Sequence, residues 1–312
     1  MKRILSIDGG GIRGIIPLCA LVELEKQTGK LTRDVFNMVA GTSTGAIIAA
    51  AVGIGMTAQK TLDLYQTLGS RIFKTDWLAF ITTLGGMKYH STACAAVYRE
   101  FIGDVTINEL PIDLMLTMMR VVDGKPFYAV KDNPANAGTT GKLKVVDCVT
   151  ASAAAPTFFD PYDVPTIGRC VDGGTGIAGN PVYQACVEAF YYTGGAYTPE
   201  DSVVVSLGTG IYDGAANPVT FIDWARWVML SLLESPAEQQ TELVQRHFAT
   251  LGTYRLNPPL PRDIGLDNLS AIPDLVKIGT AAAAQIDWKT ILLGKSSTQR
   301  SLPKPKLQRN IP

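Results

Sequence analysis

Histidine is nearly missing from this chain of 312 residues: there are two, His90 and His247, and neither belongs to an H-E-x-x-H pairing or a Cys/His cluster. A structural or catalytic zinc site therefore lacks its usual ligands, and no metal is expected. Cysteine is sparse as well. The five thiols, Cys19, Cys94, Cys148, Cys170 and Cys186, are odd in number, dispersed and without a C-x-x-C, as expected of buried thiols in a reducing compartment. Neither charge sign is in surplus, with 28 basic residues against 28 acidic, which disfavours a generally basic nucleic-acid-binding domain. No hydrophobic run spans a bilayer, since the most apolar stretch, 46–58, is short and rich in Gly and Ala. Met1-Lys2-Arg3-Ile4 leads straight into a strand-like run, leaving no room for a signal peptide. These absences together predict a soluble, cytoplasmic protein.

What is present is an ordinary globular composition, 46% hydrophobic and 18% charged. A chain of this length buries roughly three quarters of its unfolded surface and needs no disulfide or metal to fold. The charge balance hides an asymmetry. From Lys289 onward Lys289, Lys295, Arg300, Lys304, Lys306 and Arg309 meet no acid, so the preceding body carries a net −6. We therefore expect one domain over 1–288 and a basic tail over 289–312, either simply solvated or in weak contact with anionic headgroups.

Residues 3–7 read as a buried strand ending at Gly9-Gly10-Gly11, followed by helical spacing through Ile15, Leu18, Leu21, Val22 and Leu24. Residues 36–40 form a second apolar run that breaks at Gly41-Thr42-Ser43-Thr44-Gly45 and enters a small-residue helix over 46–52. Strands are expected at 115–122, 126–129, 144–149 and 202–207, and helices at 181–192 and 221–233. This alternation predicts an α/β domain around a largely buried sheet.

Gly41-Thr42-Ser43-Thr44-Gly45 is a G-x-S-x-G, whose purpose is a sharp strand-to-helix turn that pushes the serine outward. The helix behind it aims free N–H groups and a positive dipole end at the serine. Asp8-Gly9-Gly10-Gly11-Ile12-Arg13-Gly14 offers side-chain-free amides suited to a developing oxyanion, with Arg13 adding a charge or bracing the loop. Gly9, Gly11 and Gly14 also satisfy G-x-G-x-x-G, but the second strand does not end in the acid that would hold a ribose. A nucleophilic serine needs a base. Asp172, in Cys170-Val171-Asp172-Gly173-Gly174, is one candidate, although an aspartate before glycine also suits a plain turn. His247 is the other, because Ser43, Asp172, His247 follows the order of α/β-hydrolase triads, but its surroundings, 242–248, read as a helix.

With these blocks in order, the sequence resembles the patatin-like phospholipases, lipid acyl hydrolases with a Ser–Asp dyad. The glycine loop looks like their oxyanion loop, Gly41 and Gly45 flank the nucleophile elbow, residues 151–159 (ASAAAPTFF) resemble the segment leading to the dyad, and Asp172-Gly173-Gly174 matches D-G-[AG]. Asn180-Pro181 and Ser206-Leu207-Gly208-Thr209-Gly210 fit the later pattern, and the likeness thins beyond about residue 212. The resemblance implies a three-layer α/β/α sandwich with a central, mostly parallel sheet. It implies Ser43 and Asp172 as the catalytic pair, oxyanion amides from Gly9, Gly10 and Gly11, and support from Arg13. The implied chemistry is cleavage of fatty-acyl esters of phospholipids or related glycerolipids through an acyl-enzyme, with no cofactor.

A lipid substrate also calls for an apolar approach and transient contact with a membrane surface. Phe73, Trp77, Leu78, Phe80 and Ile81 form a candidate cap, and Phe221, Trp224, Trp227, Val228 and Leu232 recur at near-helical spacing; both sets also suit core packing. Two alternatives stand beside the constitutive enzyme. One is the same phospholipase gated by a small-molecule activator of cyclic-nucleotide type, with the region from Tyr254 onward, including Arg255-Leu256-Asn257-Pro258, as the place for its site. The other is a catalytically idle lipid-binding or scaffold protein.

Overall fold

The computed structural model describes residues 1–72, 89–135, 138, 140–214 and 218–294. Strand β1 (Lys2–Ile7) shows why the sheet is buried on both faces. Leu5 and Ile7 enter one core and Ile4 the other, the period-two alternation of a strand covered on both sides. The remaining strands are β2 (Met38–Gly41), β3 (Asp113–Arg120), β4 (Pro126–Val130), β5 (Tyr162–Val164), β6 (Gly168–Asp172), β7 (Ser202–Leu207) and β8 (Gly252–Leu256). Paired strands follow the order β5-β6-β3-β2-β1-β7-β8, with β4 also paired to β3.

The central five, β3-β2-β1-β7-β8, are parallel, while β4, β5 and β6 join antiparallel, so the sheet is mixed with a parallel heart. A strand has two edges. Because β4 lies along 115–119, β2 and β6 follow one another on the opposite edge of β3, β2 against 113–116 and β6 against 118–120. The end of β6 therefore arrives just beyond the end of β2.

One face is covered by α1 (Ile15–Thr28), α3 (Thr44–Ile54), α4 (Ala58–Ile72), α5 (Ser91–Ile102), α6 (Val145–Ser152), α9 (Ile272–Ala283) and α10 (Trp288–Leu292), with α2 (Thr32–Val35) between α1 and β2. The other face is covered by α7 (Val182–Tyr191) and α8 (Phe221–His247). These are the three layers expected from the resemblance.

Several elements differ from the sequence reading. The strand expected at 144–149 is helix α6. Its apolar residues Val145, Val146, Cys148 and Val149 are all buried, a run whose period does not separate helix from strand, and Thr150 closes a side-chain bond to the Val146 carbonyl one turn back. The strand expected at 115–122 lies two residues earlier, and α8 continues past Pro236 to His247. Strand β8 carries Arg255 in a half-buried run that offers little alternation to read. The boundary expected at 288 falls at the start of a packed helix, since Trp288, Ile291 and Leu292 are buried in the larger core. Residues 295–312 of the basic tail lie outside the described residues, as does the candidate cap of Phe73, Trp77, Leu78, Phe80 and Ile81.

Candidate active site

The parallel pairing ends at one level, where β1, β2, β7 and β8 each hand the chain to a loop while β3 runs on to meet β6. Ser43 stands two residues beyond β2, at the start of α3, with φ 55° and ψ −123°. That is left-handed backbone for a side chain with a Cβ, and its persistence points to a site where geometry matters more than local comfort. The flanking glycines permit it. A Cβ on Gly41 would sit 2.2 Å from the Gly45 carbonyl oxygen, and one on Gly45 would sit 2.2 Å from that of Ile7. The Ser43 N–H donates to the buried Ser152 hydroxyl at 2.9 Å, and the Thr42 hydroxyl bonds that of Thr117 at 2.7 Å.

Asp172 is the last residue of β6 and is fully buried. Its Oδ1 accepts from the Gly174 N–H at 2.8 Å, while Oδ2 makes no close hydrogen bond among the described residues. Burial pushes the carboxyl up to about 7, opposed by the Ser43 hydroxyl and the Gly174 amide. The two glycines that follow have separate tasks. Gly173 lies where a Cβ would strike Thr117, and Gly174 supplies the amide that fixes the carboxylate.

The glycine loop follows β1 into a 3-10 turn, Gly11–Gly14. Gly10 has φ 157° and Gly11 φ 56°; a Cβ on Gly10 would meet the Thr209 hydroxyl and one on Gly11 the Leu266 carbonyl oxygen, each at 2.2 Å. Three oxyanion amides were expected, but the Gly9 N–H is committed to the Gly179 carbonyl at 2.9 Å. The Gly10 and Gly11 amides have no acceptor among the described residues. Arg13 is buried, at 1% exposure, and is not among the residues lining the neighbouring pocket, a placement that suits a brace rather than a direct contact with substrate.

That pocket is apolar and opens at Ser43. Ile47, Leu64, Tyr98, Phe101, Phe158 and Phe159 form much of its wall. The Tyr65 hydroxyl bonds both the hydroxyl and the carbonyl of Thr44, the latter at 3.1 Å, so that the wall residue next to Ser43 is itself tethered.

His247 does not join this arrangement. It is an exposed residue at the end of α8, on the opposite face of the sheet, with Nδ1 2.8 Å from the Tyr183 hydroxyl. His90 is a surface residue 3.8 Å from Asp160. The segment Arg255-Leu256-Asn257-Pro258, in the region expected to hold an activator site, is turned inward. Arg255 grips Asp8 through two nitrogens, at 2.9 and 2.7 Å, and Asn257 bridges Glu238 and the Gly210 amide. Among the described residues no cluster of His, Cys, Asp and Glu could hold a metal ion.

Residues 5–186 match the model of the patatin-like phospholipase family. The chain belongs to that family, whose members are hydrolases of lipid acyl esters. It is similar to a cGAMP-activated phospholipase of Escherichia coli (strain TW11681), 27% identical over 238 residues, which are 72% of this chain and 66% of the relative. A cGAMP-activated phospholipase of Vibrio cholerae is 28% identical over 308 residues, 86% of each chain. The 85/88 kDa calcium-independent phospholipase A2 of Mus musculus is 26% identical over 314 residues, 86% of this chain and 37% of that one.

The phospholipase match ends at 186, yet the site draws on residues beyond it. Thr209 donates to the Gly9 carbonyl at 2.8 Å, and the Leu266 carbonyl accepts from Ile12 N–H at 2.8 Å. Sequence reasoning noted the block containing Thr209 without giving that residue a role, and missed Leu266, Ser152, Glu238 and the inward role of Arg255. For Ser152 a signal existed: it lies in the 151–159 block, which touches both candidate residues, Ser152 at Ser43 and the Ala154 carbonyl at the Asp172 N–H, 3.0 Å away.

Proposed function

We propose that this chain cleaves fatty-acyl esters of phospholipids or related glycerolipids through a Ser43–Asp172 dyad. Asp172 accepts the Ser43 proton as the hydroxyl oxygen attacks the ester carbonyl. The tetrahedral oxyanion rests on the Gly10 and Gly11 amides, an interaction of a kind worth about 3–4 kcal/mol in the transition state. Asp172 passes the proton to the departing alkoxide, which leaves as the alcohol, and the ionised Asp172 then takes a proton from the water that hydrolyses the acyl-enzyme. The observation that carries this reading is a fully buried Asp172 carboxyl, one oxygen fixed by the Gly174 amide and the other unbonded among the described residues, at the end of β6 just beyond the end of β2 that leads to the left-handed Ser43. A base needs that proximity, and its affinity for protons suits transfer near neutral pH.

The apolar pocket at Ser43 supports an acyl chain as the group held there. Among the described residues no helix is long and apolar enough to cross a membrane. On α8, Trp224, Trp227, Val228 and Leu232 are 50%, 41%, 46% and 40% exposed, a stripe suited to transient contact with a lipid surface. The test is fatty-acid release from mixed phospholipid vesicles in EDTA. We expect release to survive His247→Ala and to collapse in Ser43→Ala and Asp172→Asn; loss in His247→Ala with the fold intact would replace the dyad with a triad.

The names of two relatives favour a second reading, in which the same hydrolase is silent until a cyclic nucleotide binds. Vesicle hydrolysis measured with and without cGAMP separates the two: activity without ligand excludes strict gating, and activity only with it establishes gating.

A further inference from the structure

Asp8, the residue that launches the glycine loop, is 4% exposed. Its two carboxylate oxygens meet two guanidinium nitrogens of Arg255, at 2.9 and 2.7 Å. The same guanidinium donates to the Ser206 hydroxyl at 2.9 Å and to Glu238 Oε1 at 2.9 and 3.2 Å. Glu238 Oε1 also accepts from Asn257 at 2.9 Å, and Asn257 takes the amide of Gly210, next in the chain to Thr209, whose hydroxyl holds the Gly9 carbonyl. Removing these charges from water is costly, and apolar side chains of similar volume often serve stability as well or better. A two-pronged arginine–carboxylate pair contributes fixed geometry in addition to attraction. The geometry fixed here is the direction in which the chain leaves β1, immediately before Gly10 and Gly11.

We propose that Arg255 is a positioning residue for the hydrolysis: through Asp8, and braced by Glu238, it holds the Gly10 and Gly11 amides at the place where the oxyanion forms. The proposal rests on the reading of those amides given above. It places a functional residue about seventy positions beyond the end of the family match. Arg255 acts through Asp8 and does not touch substrate.

The test compares wild type with Arg255→Met, Arg255→Lys and Asp8→Asn/Arg255→Met, with the surface-pair variant Arg262→Ala as control. A soluble short-chain p-nitrophenyl ester gives kcat and KM, denaturation gives stability, and hydrogen exchange reports the peptide carrying the bonded amides of Asp8, Gly9, Ile12 and Arg13. We expect Arg255→Met to lose kcat by on the order of 10²-fold, as for a misplacement of about 1 Å, with KM within a few fold. Arg255→Lys, lacking the fork, should recover only part of it. The double variant should regain stability, since no charge is left buried alone, yet stay slow and show fast exchange in the glycine loop. Recovery of kcat together with stability in the double variant would overturn the proposal, as would unchanged loop exchange in Arg255→Met. Loop exchange is read without turnover, so activity persisting in Ser43→Ala would defeat the dyad reading while leaving this result to stand or fall by itself.

Discussion

The backbone of Ser43 yields a prediction in which activity and stability part company. At φ 55° and ψ −123° a residue with a Cβ carries a strain of about 1–3 kcal/mol, which glycine does not. Ser43→Ala removes the hydroxyl and keeps the strain; Ser43→Gly removes both. Each leaves Asp172 without its hydroxyl neighbour, so the difference between the two isolates the backbone. Against the relief stands the greater freedom of glycine in the unfolded chain, roughly 0.5–1 kcal/mol. The balance favours Ser43→Gly by about 1 kcal/mol, or roughly 2 °C in Tm at this length. Both proteins should be inactive, and calorimetry with urea unfolding at one pH reads the difference. An alanine variant equal to or more stable than the glycine variant would refute the argument, because the elbow would then be unstrained.

Three further outcomes follow from the site. If Asp172 is the base, kcat/KM rises with pH through about 7, because the ionised form must take the Ser43 proton. The sign for stability is opposite: the fold holds this proton more tightly than the unfolded chain, so the contribution is complete below about 4 and lost as pH passes 7. Asp172→Asn should abolish this stability dependence, read by urea unfolding across pH. Gly45→Ala drives a Cβ into the Ile7 carbonyl and should cost about 2–3 kcal/mol with loss of turnover, read by thermal unfolding and ester hydrolysis. Trp224→Ser/Trp227→Ser should lower hydrolysis of vesicles while leaving a soluble ester within about twofold, the split expected of residues that meet the lipid surface rather than the reacting atoms.

The parts of the site that could be read from sequence are those whose geometry demands one residue type in one local pattern. G-x-S-x-G and the glycine run are of this kind, because a side chain at Gly41, Gly45, Gly10 or Gly11 meets another atom at 2.2 Å. Strand 202–207 was legible because three consecutive valines between turn residues, in a strand buried on both faces, read as little else. Helix α6 was not, since β-branched residues buried in a short helix imitate a strand. Arg255, Glu238 and Ser152 were beyond reach for another reason. Their partners lie 247, 17 and 109 residues away, and the arginine in β8 has no local motif to announce that it turns inward. Gly9 shows the limit within a motif, where three identical residues in sequence become one committed amide and two open ones.

The position of β1 has a consequence for how the enzyme comes into being. This first strand pairs on one side with β2, about thirty residues on, and on the other with β7, about two hundred residues on. The glycine loop that follows it is pinned by Thr209, Arg255 and Leu266. On a ribosome adding roughly 5–20 residues per second, the nucleophile elbow is made on the order of ten seconds or more before its oxyanion partners can be fastened. On the proposed reading of the site, a nascent chain that already displays Ser43 is thus an unassembled hydrolase, its chemistry delayed until β8 and the loop after it have emerged.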